Sequence, residues 1–467
     1  DIFMTDFADL NLGSFDPGRS TWHKIKAFPH NVELEVAATF SGGRRFSFFG
    51  PNDDSVIDER GKTVILHYGL CQLPDSGYQP RLADDRVGYF LSVVKDFSSD
   101  SPDTSFVRFV NRWRLERAEP IDSKHPNKLS PPKKKIVFWI EKSVPDEFRA
   151  AVREGILEWN KAFEKIGFRD AIEVRQQEEN DRDDFDPENI DYHTFRWITN
   201  DLGFDMGPSR ANPLTGEILD ADIIFDASMV RFWREEAKLF RGDNAPASLI
   251  QATRQGWGLV DPLASARSPQ AGSAGWNDPK QTEQNQRKAR LLAARHGLCQ
   301  CGAHMRYELS MAAMALVARG VVKPGDKIPD ELIQQAVKET TMHEVGHTLG
   351  LRHNFKASSM LKNEQLHDTS ITRKQGLIGS VMDYAPINLA PKGVKQGDYF
   401  TTTIGPYDYW AIAYAYKPLS GGTDGELEKL QDIAKQSAKP GHDYATDEDM
   451  FDTSDPLVNV WDLGADP

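Results

Sequence analysis

The stretch HEVGHTLGLRHNF, residues 343–355, constrains this chain more than any other part of its sequence. His343 and His347 are four residues apart, so on a helix their rings point the same way and can reach one metal ion. Gly350 is the residue type that most easily takes a positive φ and turns a chain back after a helix. Such a turn would bring His353 to the same ion as a third ligand.

Three neutral imidazoles leave one position of a tetrahedral zinc ion free, which is typical of catalytic rather than structural zinc. Glu344 lies one step around the helix and can reach a water molecule at that position as a general base. H-E-x-x-H alone can occur by accident on a surface helix. With 12 His and 35 Gly in the chain, the full spacing should arise by chance on the order of once in 10⁴ such chains. The pattern predicts a zinc site for metal-assisted hydrolysis.

Composition disfavours several other classes of protein. The 467 residues are 39% hydrophobic and carry a formal net charge of −14, which predicts a folded chain that nucleic acid would repel. The longest apolar run, residues 311–322, is interrupted by Arg319, and a membrane span needs about 20 apolar residues. We therefore expect no nucleic acid partner and no membrane span. The sequence has no P-loop, no G-x-G-x-x-G after a strand and no G-x-S-x-G, so nucleotide-binding and serine hydrolase classes are also disfavoured.

The three cysteines, Cys71, Cys299 and Cys301, are too few for a disulfide framework. Cys299 and Cys301 lie near His304, but C-x-C with so few other ligands does not indicate zinc. Free thiols or one disulfide to Cys71 are the alternatives. The acidic runs 179–189 and 445–456 lack the EF-hand ligand pattern, so we interpret both as solvated loops rather than calcium sites.

Short alternating runs separated by Gly, Pro and Asp make residues 30–118 an all-β region. Residues 123–135, rich in Pro, Ser and Lys, suit a linker. A strand at 135–140 follows, and then a helix near Ser143, where S-x-x-D with Asp146 predicts an N-cap.

The order of elements after the linker is strand, helix, strands, helix, which predicts an α+β fold. We predict three regions: a β-rich N-terminal domain at 1–130, a catalytic domain at 131–425 and an acidic C-terminal segment at 426–467. Residues of about 230–325 are interpreted as a helical insertion in the catalytic domain. The helix that carries the histidines is expected at 329–350.

The long histidine motif and the downstream segment SVMDYAP, residues 380–386, resemble the metzincin metallopeptidases. The resemblance implies that Met382 forms an apolar floor below the three imidazoles. It also matches Tyr384 to the tyrosine that in some metzincins ligates zinc or stabilises the oxyanion. Core packing is the alternative for a Met and a Tyr in a loop. Asn354 differs from the residue usual after the third histidine in the best-known metzincin groups, so the chain is not assigned to them.

The chain is more closely similar to a large bacterial group called zinc-dependent metalloproteases. The similar segments are LPDSGYQPRLADDRVGYF, RWRLE, EWNKAFEKIGF, ANPLTGEILDADI, HEVGHTLGLRHNF, SVMDY and TTTIGPYDYWAIAYAY. This resemblance implies a metzincin-like catalytic domain, with a twisted mixed sheet, an active-site helix, a zinc cleft and a Met-turn, preceded by a β-rich N-terminal domain. It also implies an exported bacterial protein, whether periplasmic, cell-surface or secreted, and a further region beyond residue 467.

Two weaker features also rest on resemblance. Residues 216–226 match the metzincin edge strand that pairs with an extended substrate, although their aspartates could instead protect an exposed edge from aggregation. CQLPD, residues 71–75, resembles the cysteine switch of matrixin propeptides, in which a thiolate blocks the zinc. A buried strand cysteine is the alternative for Cys71.

Three functions remain open at this point. The first is a zinc endopeptidase that acts on peptide or protein substrates, with zinc held by His343, His347 and His353, Glu344 activating water and Tyr384 assisting the oxyanion. The second is a peptide-binding or adhesive surface protein with a latent or inactive zinc cleft, against which Glu344 argues. The third is a zinc hydrolase of non-peptide acyl groups. The sequence leaves the cleavage specificity and the oligomeric state open.

Overall fold

The computed structural model describes residues 14–41, 61–74, 77–98, 105–120, 128–178, 185–199, 205–226, 329–452 and 455–466, with 230, 298–299, 312, 315–316 and 319. The chain divides into two compact units. The first comprises Asp1–Asp75, Asp184–Asp191 and Asp261–Gln284, and the second comprises Ser76–Asp183, Tyr192–Val260 and Asn285–Pro467. Most of the predicted insertion at 230–325, with Cys301 and His304, lies outside the described residues. The predicted domain ranges stay predictions.

The first unit contains an antiparallel sheet. Its strands are β1 (Ser14–Phe15), β2 (Thr21–Ala27), β3 (Asn31–Ser41) and β4 (Lys62–Cys71). β3 pairs with each of the other three strands. Because side chains alternate between the faces of a strand, one face of β3 is entirely apolar from Val32 to Phe40 at every second residue, whereas Glu33 and Glu35 lie on the other face. The expected β-rich N-terminal region is confirmed.

The second unit is built around a six-stranded mixed sheet. The strands of the second unit are β5 (Leu91–Lys95), β6 (Phe106–Val110), β7 (Arg112–Trp113), β8 (Ile136–Ile140), β9 (Ile172–Gln176), β10 (His193–Ile198), β11 (Asp205–Met206), β12 (Ser209–Ala211), β13 (Glu217–Ala221), β14 (Ile223–Asp226) and β15 (Leu298–Cys299). The main sheet has the order β15-β11-β14-β10-β8-β9. Strands β9, β8, β10 and β14 are parallel to their neighbours in this set, and β11 is antiparallel to both of its neighbours, β14 and β15. β5 pairs with β6, and β13 lies between β12 and β7.

The prediction of one edge strand at 216–226 is wrong. The segment forms two strands in different sheets, and both are paired on two sides: β13 with β12 and β7, and β14 with β10 and β11. The break falls at Asp222, whose carboxylate accepts hydrogen bonds from the backbone N–H and the hydroxyl of Thr194. An alternating apolar pattern fits either arrangement, and pairing with distant strands decided between them.

Eight α-helices lie within the described ranges. They are α1 (Asp146–Glu158), α2 (Asn160–Lys165), α3 (Asp330–Thr348), α4 (Thr369–Gln375), α5 (Pro406–Tyr416), α6 (Gly422–Gly425), α7 (Leu427–Ala434) and α8 (Asp449–Asp452). The predicted N-cap at Ser143 is wrong, because α1 begins at Asp146 after Pro145 and the Ser143 hydroxyl donates to Glu141 instead. None of the helices in the described part of the chain is long and apolar enough to cross a membrane.

Helix α3 lies in the core of the second unit, packed against α1. A Cβ on Gly155 of α1 would lie 2.9 Å from the carbonyl oxygen of Lys338, so glycine permits this close approach. The Trp159 indole donates to the carbonyl of Met342, 3.0 Å away. Most of α3 is therefore buried, including all of its last turns. The α+β class is confirmed, and the histidine helix is fixed by the packing around it.

Candidate metal centre

The turn after α3 needs a glycine for two reasons. Gly350 has a φ of 95°, and a Cβ on it would lie 2.0 Å from the carbonyl oxygen of Asn111. The segment after the helix is paired to residues 88–90, because Phe90 N–H donates to the Gly350 carbonyl and Arg352 N–H donates to the Gly88 carbonyl. The predicted turn at Gly350 is present, and it returns the chain toward the helix.

This turn brings the three motif histidines together. The ligand atoms of His343, His347 and His353 lie within 4.8 Å of one another. All three side chains are buried, with exposed fractions of 2%, 0% and 3%. Buried imidazoles at this separation form a group that could hold a metal ion.

One ring nitrogen of each imidazole is bonded to an acceptor on the protein. Nδ1 of His343 is 2.7 Å from the Val381 carbonyl, and Nδ1 of His347 is 2.9 Å from the Leu351 carbonyl. A carbonyl oxygen only accepts, so in both rings Nδ1 carries the proton. The Nε2 lone pairs are then available to a metal, while the other ring nitrogen donates to a carbonyl, as metal-binding histidines commonly do. The donor set therefore fits zinc.

The third imidazole is held differently. Nδ1 of His353 is 2.9 Å from a carboxylate oxygen of Asp447. Arg352 donates to the other oxygen of Asp447 at 3.3 Å and to Glu448 at 2.6 Å. Burial opposes ionisation of Asp447, but His353 and Arg352 outweigh it and hold the pKa of this carboxyl below its usual value. The sequence interpretation missed Asp447, because it lies in an acidic run that was taken as a solvated loop.

Asn354 fixes the segment that contains Asp447. Its side-chain amide donates to the Asp443 carbonyl at 2.9 Å, and its amide oxygen accepts from Ala445 N–H at 3.2 Å. Its own backbone N–H donates to the Met382 carbonyl at 2.9 Å. The residue that departs from the better-known metzincin groups therefore joins the third histidine, the loop of Met382 and the C-terminal segment.

Glu344 lies on α3 beside His343, and its side chain is fully buried. Gly207, between β11 and β12, packs directly on this turn of the helix. A Cβ on Gly207 would lie 2.4 Å from the Glu344 carbonyl oxygen and 3.0 Å from the Cβ of His347. The requirement for glycine at position 207 could not be predicted from the sequence, because the requirement arises from a contact with a helix that is distant in the chain.

Met382 is fully buried against α3. A Cβ on Gly346 would lie 2.2 Å from its sulfur, so Met382 packs directly on the helix at Gly346, which precedes His347. The preceding residues are held by Asp408, whose carboxylate accepts from the Ser380 hydroxyl at 2.6 Å and from Val381 N–H at 3.0 Å. Burial raises the pKa of Asp408 to about 7, although these hydrogen bonds oppose the change.

The hydroxyl oxygen of Tyr384 lies 2.8 Å from Nε2 of His353, on the side where a metal would bind. Its ring stacks on Trp461 with a centroid distance of 5.6 Å and an interplanar angle of 23°. Trp461 N–H donates to the Tyr384 carbonyl at 2.8 Å. Trp461 was not identified from the sequence, which offers no spacing that connects it to the motif.

The remaining predicted groups add no second metal centre in the described residues. Cys71 is a free thiol at the end of β4, and the cysteine-switch hypothesis stays a prediction. Glu35, His67 and Glu188 also lie close together in the first unit. However, Lys24 and Lys26 form ion pairs with Glu188 at 3.1 and 2.9 Å. The two lysines therefore already neutralise the carboxylate that a metal ion would otherwise neutralise. We interpret this group as an ion-pair network.

Comparison with protein families agrees with this geometry. Residues 325–467 match a family model described as Met-zincin, and residues 3–118 match a domain family of unknown function. Searches of the curated proteins and of the solved structures gave no match. The matched region contains all three histidines, Glu344 and Met382. The match of residues 325–467 to a Met-zincin model, together with a three-histidine group that could bind zinc, supports a zinc metallopeptidase in general.

Proposed function

We propose that the protein is a zinc-dependent endopeptidase that cleaves peptide or protein substrates. The observation that carries this proposal is the convergence of His343, His347 and His353, whose Nδ1 atoms are all engaged, beside the buried Glu344. Zinc bound there would polarise the scissile carbonyl and lower the pKa of a water molecule. The buried carboxylate of Glu344 beside these histidines favours catalysis over a binding function.

Two side chains of the site would act on the reacting atoms. Glu344 would accept a proton from the attacking water and pass it to the leaving amine, which is general acid–base catalysis. The Tyr384 hydroxyl would donate a hydrogen bond to the carbonyl oxygen as negative charge develops on it. Its position 2.8 Å from Nε2 of His353 supports this role, because a metal ligand and an oxyanion donor must face the same reacting group.

The test is mass spectrometry of a diverse peptide library incubated with zinc-loaded protein. We expect cleavage inside peptides, loss of cleavage with a chelator, and a fall of about 10²–10⁴-fold in Glu344→Gln. Glu331→Gln, an exposed change on the same helix, serves as the matched control and should cleave as the unchanged protein does. The preferred side chains around the bond would follow from the same data.

Zinc-loaded protein that cleaves nothing would contradict the proposal. If such a protein bound peptides with equal affinity before and after Glu344→Gln, the peptide-binding or adhesive function would replace it. Turnover of acyl esters without turnover of peptides would favour a non-peptide hydrolase.

We also propose that the protein is exported from a bacterial cell, which rests on the sequence resemblance alone. Cell fractionation, followed by detection with an antibody to the protein, tests this localisation. Detection only in the cytoplasmic fraction would contradict it.

A further inference from the structure

The support of the third histidine differs in kind from that of the other two. His343 and His347 donate from Nδ1 to backbone carbonyls of Val381 and Leu351. His353 depends instead on the side chain of Asp447, which lies 94 residues farther along the chain. At Nδ1, this imidazole is therefore held by a side-chain carboxylate rather than by a backbone carbonyl.

The carboxylate is itself held firmly. Asp447 has a side-chain exposure of 14%, and the guanidinium of Arg352 lies 3.3 Å from its second oxygen. The backbone before it is tied to the loop after His353, because Asn354 bonds to Asp443 and Ala445 and Phe355 N–H donates to the Ala445 carbonyl at 2.8 Å. A carboxylate held on both sides can restrain the ring that it contacts.

We infer that Asp447 is a positioning residue, which holds His353 so that its Nε2 faces the metal and thereby strengthens zinc binding. A carboxylate behind a metal-binding imidazole fixes the ring orientation and makes the imidazole a better ligand, and its loss weakens metal binding by about 10–100-fold. This inference rests on the proposed zinc site, but it does not depend on which bond the protein cleaves.

The experiment compares the zinc affinity of four full-length proteins by chelator competition: unchanged protein, Asp447→Ala, Asp447→Asn and Asp443→Asn. We expect Asp447→Ala to weaken zinc binding by about 10–100-fold. Asp447→Asn should weaken it less, because its amide oxygen can still accept from His353. Asp443→Asn is the matched control, since this exposed side chain lies in the same segment, and it should bind zinc as the unchanged protein does.

Two further measurements separate positioning from folding. The visible spectrum of bound Co²⁺ should change in Asp447→Ala, because it reports the geometry of the ligands. The melting temperature of each metal-free protein should stay close to that of the unchanged chain. Because no step requires turnover, a protein that binds zinc but cleaves no peptide would contradict the proposed endopeptidase and leave this inference intact.

Three outcomes would overturn the inference. The first is unchanged zinc affinity and an unchanged Co²⁺ spectrum in Asp447→Ala. The second is an equal loss of affinity in Asp443→Asn. The third is a loss in both Asp447 variants that is fully explained by unfolding of the metal-free proteins at the assay temperature.

Discussion

At the residue scale, the site depends on which atoms of each side chain contact the surrounding protein and which atoms remain for the metal or the substrate. The imidazoles use Nδ1 to hold their orientation, so that Nε2 of each faces the common centre. Tyr384 follows the same rule, because its ring stacks on Trp461 while its hydroxyl points to Nε2 of His353. Each side chain is thus fixed at one end and presents the other end to the reacting atoms, as preorganised sites require.

The first prediction concerns the Tyr384 hydroxyl. Tyr384→Phe keeps the ring and its stack on Trp461 but removes the donor. If the hydroxyl stabilises the oxyanion, kcat should fall by about 10²–10³-fold, while KM changes little because the interaction forms in the transition state. Steady-state kinetics on a cleaved peptide measures both constants.

Tyr409→Phe in α5 is the control for this change, and its kcat should equal that of the unchanged protein. A Tyr384→Phe variant with the same kcat as Tyr409→Phe would show that Tyr384 serves only to pack the core.

At the scale of elements, glycines allow the loops to approach α3. Gly350 and Gly393 make a matched pair, because both have a positive φ, of 95° and 88°. A Cβ on Gly393 meets nothing within 4 Å, whereas one on Gly350 would lie 2.0 Å from the Asn111 carbonyl oxygen. The pair therefore separates backbone strain from steric clash.

The second prediction uses this pair. Gly393→Ala should lower the free energy of unfolding by about 1–2 kcal/mol, the cost of the left-handed conformation. Gly350→Ala should cost about 1–3 kcal/mol more from overpacking, and it should also weaken zinc binding because the turn delivers His353. Denaturant unfolding and chelator competition measure the two effects. Equal losses in the two variants would contradict a role for the close contact.

The third prediction concerns the Met382 loop, which Asp408 anchors. The pKa of Asp408 is about 7 in the folded protein and 3.8 in a model compound, so the folded state binds the proton more tightly. Its contribution to stability is complete below pH 3.8 and is lost as the pH rises through about 7. Asp408→Asn does not titrate and keeps a hydrogen-bonding side chain. The free energy of unfolding of this variant should fall less than that of the unchanged protein over this range.

Denaturant titrations of both proteins across that pH range test this expectation. Parallel pH profiles would mean that Asp408 ionises as readily in the folded chain as in the unfolded one.

The sequence correctly predicted those elements that are specified by residues close together in the chain. The helix of the histidine motif and the turn at Gly350 follow from spacing within a few residues, and both are present. The edge strand at 216–226 was wrong, because sheet position depends on partners that no local pattern identifies. The N-cap at Ser143 was wrong because the helix begins only at Asp146, after Pro145 at the N-cap position.

At the scale of the whole molecule, the site is assembled from distant parts of the second unit. The motif supplies the histidines, the strand region supplies Gly88 and Gly207, and the C-terminal segment supplies Asp447 and Trp461. The supporting residues could not be predicted, because their positions relative to the motif are set by the tertiary fold rather than by sequence spacing. The candidate metal ligands lie in one short segment of the sequence, whereas the residues that hold them in position come from distant segments.

The last prediction follows from this dispersed support. Zinc that binds the folded site but not the unfolded chain stabilises the fold by about 2.7 kcal/mol when free zinc is 100 times its Kd. Since the three histidines all belong to the second unit, zinc should raise the melting temperature of that unit by several degrees. Differential scanning calorimetry with and without zinc measures the shift. Glu344→Gln should keep the shift and His347→Ala should abolish it, so an equal shift in His347→Ala would place the stabilising metal elsewhere.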